Sequence, residues 1–447
     1  MTDCSPAVPQ APGRLPLVGH LVPLLRDPLA LLRALPACGD LVRIDLGAAA
    51  VTMICDPVLT DYVLRHDEVF DKGGPFFERA RDAVGGGLAT CPHAAHRRLR
   101  RLVQPAFHPS RMSGYADVMT EHTAALADSW RDGQVLDVNA ETKRLAATVT
   151  AQTLFSGTVS DGTSRQAVDD VTTLADSVFR RAMMPPSLDR LPTPGNRSFA
   201  RARTRLYRTL AEIIADRRRS TEAPEDLLSA LLAARDTEVG KHGLTDTEVA
   251  DQIITFFIGG TETAASTLAW AQYLLDLHPD IFDRLAQEAD AVLQGRPACF
   301  ADLPRLRLAG RIITETLRLY PPGWLFTRLV TEDTELGGYP LRAGDTIAYS
   351  PYLIHHRGDL HVDPERFDPD RWDPARAQPA RTALIPFGGG ARKCIGDTFA
   401  ITLSTLALAT LCARWRLHTL PGEKIRAARS AALYPRTLRM RAQARNG

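Results

Sequence analysis

Residues 243–279 read GLTDTEVADQIITFFIGGTETAASTLAWAQYLLDLHP, one long helical pattern. Thr245 and Glu248 have the spacing of a capping box at its start, and Pro279 lies just past its end. A helix of about 34 residues is about 50 Å long, enough to cross a whole domain through its core. The remainder of the chain must then wrap around it. Two glycines sit inside this pattern, Gly259 and Gly260, each costing about 1 kcal/mol relative to alanine. Close packing of a second helix is one explanation for them. The acid and alcohol that follow, Glu262 and Thr263, suggest another.

The other segments fill in a mainly helical body. DLVRIDLGAAAVTMIC alternates and is rich in β-branched residues, so it reads as a hairpin. From Asp56 to about Arg235 the pattern is mostly helical, interrupted at Pro92, Pro105, Pro109, Pro185-Pro186 and PTPGN. PDIFDRLAQEADAVLQGRP and LAGRIITETLRLYPP give two further helices, the second stopped by a double proline. LVTEDTELGGYPLRAGDTIAYSPYLI reads as small strands, and DPERFDPDRWDP as a proline-punctuated meander. The expected class is mainly α with a minor β-sheet region (α+β). Length alone allows about three domains, but no repeat or low-complexity linker marks a boundary. We therefore expect a flexible, polar arm over residues 1–13 and a single domain over 14–447.

A net charge of +2 with 24% charged residues gives no overall field for nucleic acid. The apolar stretch LPLVGHLVPLLRDPLALLRALP is broken by prolines and charges, and Ile401 to Ala413 is too short to span a bilayer. No membrane anchor is expected, and the cytoplasm is the expected location. The cysteines at 4, 38, 55, 91, 299, 394 and 412 form no CxxC or zinc-like spacing, and their odd number argues against a disulfide framework.

Cys394 differs from the others in context. It ends PFGGGARKC, residues 386–394. The loop is no phosphate-binding P-loop, since Cys394 stands where serine or threonine is required. A redox thiol would have no partner cysteine nearby. Two readings remain on these residues: a buried cysteine in a tight turn, or a lone thiolate making one axial bond to a metal that another group holds.

FGGGARKCIG, Phe387 to Gly396, resembles the haem-binding loop of the cytochrome P-450 family, the haem-thiolate monooxygenases, and satisfies each specified position of F-G-x-G-x-R-x-C-x-G. The resemblance implies haem b as cofactor. Cys394 would be its axial ligand, Arg392 a propionate partner, and Phe387, Gly388 and Gly396 parts of the loop. Further segments in family order carry the same resemblance. Gly259, Gly260, Glu262 and Thr263 match [A/G]-G-x-[D/E]-T. There Gly260 would open a groove for dioxygen, Thr263 would hydrogen-bond the bound oxygen and Glu262 would relay protons. His96 and Arg100, at i,i+4 in HRRLRR, match a propionate-binding pair, as does Arg328 in WLFTR. Glu315 and Arg318 in ETLR, with Arg366 in PERF, would form a buried structural triad.

The resemblance also sets expectations about substrate and partners. Phe76, Phe77, Phe256, Gly259, Trp324 and Leu325 are candidates for an apolar substrate pocket, with core packing as the alternative for each. CPHAAHRRLRRLVQPAFH and RLYPPGWLFTR look like segments of actinobacterial members that oxidise cyclic terpenes. That implies regio- and stereoselective hydroxylation of a cyclic terpenoid in specialised metabolism, with fatty acids or polyketides as alternative substrates. A peroxide-driven peroxygenase or a non-catalytic haem-binding protein would not need the Glu262-Thr263 pair. No flavin or nicotinamide domain is present, so electrons originating in NAD(P)H are expected to arrive through a ferredoxin and its reductase. Arg97 and Arg101, on the other face from His96, are expected to be free to attract that acidic partner. A monomer is expected.

Overall fold

The computed structural model describes residues 7–47, 49–156, 161–183, 188–189, 191–221, 224–236, 242–428 and 432–445. Residues 1–6, the Pro185-Pro186 pair and Lys241 lie outside the described residues. The chain divides into two compact units. The first comprises Met1–Glu78, Pro92–Ala94 and Leu317–Cys394; the second comprises Arg79–Cys91, Ala95–Thr316 and Ile395–Gly447. The division falls within three helices: α4 (Gly74–Val84), α5 (His93–Val103) and α13 (Arg307–Leu319).

The first unit is built on a five-stranded sheet. The alternating segment near the N-terminus forms β1 (Leu41–Leu46) and β2 (Ala49–Ile54), paired antiparallel as its pattern predicts. With β3 (Phe70–Asp71), β5 (Phe326–Val330) and β8 (Thr346–Tyr349) the order is β1-β2-β8-β5-β3, and only β2 and β8 run parallel. A separate ribbon joins β6 (Thr334–Leu336) to β7 (Tyr339–Leu341). Short helices α1 (Leu21–Arg26), α2 (Pro28–Ala34), α3 (Pro57–Arg65) and α14 (Pro351–His355) complete it.

The N-terminal segment departs from the loose arm expected over residues 1–13. Arg43 N–H donates to the Pro9 carbonyl (2.7 Å), and Ala11 N–H donates to that of Arg43 (2.9 Å). His20, fully buried, bonds the Ala11 carbonyl through Nε2 (2.8 Å) and accepts from Asp45 N–H through Nδ1 (3.0 Å). The Pro-rich composition concealed this pairing because the groups that bond are backbone ones, which composition does not reveal.

The second unit is helical: α6 (Pro109–Ser129), α7 (Val138–Phe155), α8 (Asp161–Met183), α9 (Pro194–Arg219), α10 (Leu227–Ala233), α11 (Asp246–Leu277), α12 (Pro279–Leu293) and α15 (Asp397–Arg414). A small sheet of β4 (Val135–Asp137), β10 (Arg439–Ala444) and β9 (Trp415–Thr419) lies with them. The long helix is α11, 32 residues, and its capping box is formed as the sequence predicts. Burial pushes the Glu248 carboxyl up, but hydrogen bonds from Arg98 and Thr245 outweigh it and hold the group ionised below the usual carboxylate range. His278 ends α11 and precedes Pro279, the first residue of α12. Helices α7, α9 and α15 pack on α11. Its buried residues lie on every side, including Ile254, Phe257, Leu268 and Trp270. Ser266 and Trp270 both donate to the Leu433 carbonyl, which fastens the C-terminal segment to the helix.

Candidate active site

The glycine loop of the first unit folds on itself. Gly388 N–H donates to Ile385 and Cys394 N–H to Phe387, with a 3-10 turn over Gly390–Arg392 between them. Gly388 and Gly390 both take left-handed φ values, +68° and +60°. A Cβ at Gly390 would lie 1.8 Å from the Leu64 carbonyl oxygen on α3, whereas one at Gly388 would meet nothing within 4 Å. Gly390 is thus required by the protein's own backbone, and Gly388 by its dihedral angle alone. Gly390→Ala is expected to cost about 3 kcal/mol or more, adding overpacking to the left-handed penalty. Gly388→Ala should cost about 1–2 kcal/mol. The urea midpoints of the two variants check this.

Cys394, at the end of the loop, is exposed. Burial pushes the thiols of Cys55 and Cys412 up to about 12, so neither presents a thiolate at neutral pH. Arg392 is almost completely buried. Its Nε donates to Asp67 (2.7 Å) and its Nη2 to Asp71 (2.8 Å). Burial pushes the Asp67 carboxyl up, and hydrogen bonds from Arg392 and His93 more than reverse this, holding it below the usual range. The two aspartates also reach α5: His93 Nδ1 lies 3.1 Å from Asp67, and His93 N–H donates to Asp71. Neither aspartate was singled out by sequence, since each lies more than 300 residues from Arg392.

Arg328 projects from β5 and is buried. It donates to the Thr327 carbonyl and the Tyr349 hydroxyl, with its guanidinium 5.2 Å from the Tyr349 ring. Trp324 is buried, and its carbonyl accepts from Ser350 (2.6 Å); Leu325 is half-buried. Phe76 and Phe77 meet edge to face on α4, with Phe77 buried and Lys72 over its ring.

The expected triad needs one correction. Glu315 and Arg318 are fully buried on α13. Arg318 donates to the carbonyls of His355 (2.9 Å), Pro364 (2.7 Å) and Arg366 (3.2 Å). Arg366 itself is exposed, offering its carbonyl rather than its side chain, because the turn from Asp363 directs the neighbouring Phe367 inward. Arg371 joins Arg318 in holding this meander, donating to the carbonyls of Val362 and Asp363. The available signal was PDRW at 369–372, which repeats the proline-acid-arginine-aromatic order of PERF.

In the second unit the Gly259–Thr263 window lies midway along α11. Thr263 hydroxyl donates to the Gly259 carbonyl (2.6 Å). Gly259 is exposed and a Cβ there would meet nothing within 4 Å, while Thr261 and Ala264 further along the helix are buried. A Cβ on Gly260 would come 2.9 Å from Thr150 Oγ1 of α7. The open position is therefore Gly259, and Gly260, where a groove was expected, lets α7 approach. Glu262 Oε1 pairs with Lys143 Nζ at 2.5 Å. Phe256 is buried edge to face on Phe107, a core contact.

On α5, His96 is buried and Arg100 is half-buried with its Nε on Gln104. Arg101 is not free: it pairs with Asp236, whose carboxylate is itself buried. Arg97 alone of the expected docking pair is exposed. Before α5, Gly86 N–H donates to Asp251 and Leu88 N–H to Gln252, seating the glycine-rich segment on α11. Gly396 precedes α15 as its N-cap.

A helical chain with an exposed thiol on a glycine loop and a core helix opened at Gly259 has the organisation of a haem-thiolate oxygenase, and the chain belongs to the cytochrome P450 family, whose model, Cytochrome P450, matches residues 9–436. It is 45% identical over 437 residues to a pentalenene oxygenase of Streptomyces avermitilis, covering 97% of each chain. It is 44% identical over 414 residues to a cyclooctat-9-en-7-ol 5-monooxygenase of Streptomyces melanosporofaciens, covering 92% of this chain and 90% of the other. Among solved structures, the crystal structure of the cytochrome P450DA heme domain superposes with a TM-score of 0.87 at 25% identity, covering 98% of each chain. The protein is a monooxygenase that uses haem b, dioxygen and reducing electrons. Its residues fit that cofactor: among the described cysteines the exposed thiol is the one on the loop, and the helix face left open is the one bearing Thr263. No described helix is long and apolar enough to cross a membrane.

Proposed function

We propose that this enzyme hydroxylates a cyclic terpenoid regio- and stereoselectively, in specialised metabolism. The observation that carries this reading is the near full-length identity to pentalenene oxygenase, cyclooctat-9-en-7-ol 5-monooxygenase and, at 43% over 433 residues, cyclooctatin synthase. Haem supplies the oxidant that inserts one atom of dioxygen into an unactivated C–H bond.

The chain's residues take distinct tasks. Cys394 is the thiolate ligand, and its N–H bond to Phe387 fixes the loop that presents it. His96, Arg100, Arg328 and Arg392 balance the two propionates. Asp67 and Asp71 already share the Arg392 guanidinium, which lowers the net charge it brings. Thr263, with its own proton committed to the Gly259 carbonyl, offers its oxygen lone pairs as acceptors, and Glu262 beside it carries protons. Electrons come from a ferredoxin and its NAD(P)H-dependent reductase, and the enzyme works in the cytoplasm as a monomer. Trp324, Leu325, Phe76 and Phe77 supply apolar surface for the substrate.

The test is a ligand panel read by the ferric haem spectrum. Cyclic terpenes are expected to drive the high-spin shift at micromolar concentration, and a terpene that does so should be hydroxylated at one position. A response to fatty acids with none to any terpenoid would overturn the substrate reading.

A further inference from the structure

Helix α7 carries a single lysine, Lys143, and its ammonium meets Glu262 of α11. The other charges near the start of α7 are taken up among themselves. Glu141 accepts from Arg144 and from Trp130 Nε1, so Lys143 is left to the carboxylate across the helix interface. Lys143 and Glu262 side chains are 35% and 24% exposed. A solvated ion pair of this kind contributes little to stability, about 0–1 kcal/mol. Holding a carboxylate midway along a core helix, between buried Thr261 and buried Ala264, is therefore poorly explained by stability. Two turns further along, α7 continues the polar seam. Thr150 faces Gly260, and its buried hydroxyl has no hydrogen-bond partner among the described residues.

We propose that Lys143 is a positioning residue for proton delivery: it holds the Glu262 carboxylate against α7 and is the point where solvent protons reach it. A proton passes from Lys143 Nζ to Glu262 Oε1, and water reprotonates the amine, so charge and protons balance over each transfer. The proposal rests on Glu262 and Thr263 serving proton delivery.

Two measurements on the haem-loaded enzyme test it. The first needs no turnover. Lysine occurs only at 72, 143, 241, 393 and 424, so reductive methylation followed by peptide mass spectrometry reads each amine separately. Lys143 is expected to react several-fold more slowly than exposed Lys424, and Glu262→Gln should remove most of that protection. The second is the product formed per electron pair consumed. Lys143→Met should lower it several-fold while the haem spectrum and substrate-induced spin shift stay as in the wild type, and Lys143→Arg, which keeps the ion pair but does not release its proton, should restore little of it. Unchanged labelling of Lys143 in Glu262→Gln, or wild-type coupling in Lys143→Met, overturns the proposal. Thr263→Ala separates the two levels. If it uncouples and Lys143→Met does not, only the role of Lys143 fails. If it leaves coupling intact, proton delivery from this helix fails, and the proposal with it.

Discussion

Cys394→His is expected to abolish the red-shifted Soret band of the reduced, CO-bound protein and to reduce hydroxylation to background. Thiolate ligation pushes electron density towards the iron and favours O–O cleavage; imidazole does so far less. The loop is held by backbone bonds, Gly388 N–H to Ile385 and Cys394 N–H to Phe387, which the replacement keeps, so far-UV circular dichroism should change little. Cys412→Ser is the control. Cys412 is completely buried on α15 and near Gln272, so this variant should lose about 1–3 kcal/mol of stability and keep the band. A band that survives in Cys394→His would transfer the ligand role elsewhere.

The second large effect is expected at Arg318. Its side chain is fully buried and satisfies three backbone carbonyls, that of His355 on α14 and those of Pro364 and Arg366 in the meander. Glu315, one turn earlier on α13, is equally buried. Arg318→Ala removes the donors and leaves buried charge uncompensated, a cost of about 3–5 kcal/mol. His355 would lose with it, because its carbonyl accepts from Arg318 Nη1, while its ring, on the Arg318 main-chain carbonyl that alanine keeps, reaches Ile385 N–H at the foot of the cysteine loop. Burial holds the His355 imidazole neutral, well below the usual histidine range, so it can accept that N–H. The variant should therefore bind haem weakly as well as unfold early in urea. Arg318→Lys should recover only part of the loss, since an ammonium cannot reproduce the guanidinium fork. Arg366→Ala, at an exposed side chain, should stay within about 0.5 kcal/mol of wild type. Equal losses at 318 and 366 would restore the triad expected from PERF.

What the sequence made legible was local. Thr245 and Glu248 form their capping box because both partners lie within one turn, and β1-β2 pairs because a hairpin's register is set by neighbouring residues. The thiol of the FGGGARKCIG loop could be singled out only through the resemblance of that loop to the family's haem-binding loop, since the residues alone left a buried cysteine equally open. What stayed hidden depends on partners far along the chain. Gly390 carries no local sign that its closest neighbour is the backbone of Leu64. Arg101 reads as a free charge until Asp236 is placed beside it. Gly260 reads as a groove until α7 brings Thr150 against it. Arg366 and Arg371 stand in nearly identical four-residue contexts, and only the turn at Asp363 decides which one is turned outward.

The pairing of Pro9 and Ala11 with Arg43 has a further consequence. In the five-stranded sheet β1 is an outer strand, and its free side would otherwise offer a row of unpaired N–H and C=O groups. The N-terminal segment occupies those groups at Arg43, and His20 takes the N–H and carbonyl of Asp45. These few residues act as an edge guard. They deny a neighbouring molecule the template on which it could add a strand, and so protect the enzyme from self-association at the sheet margin.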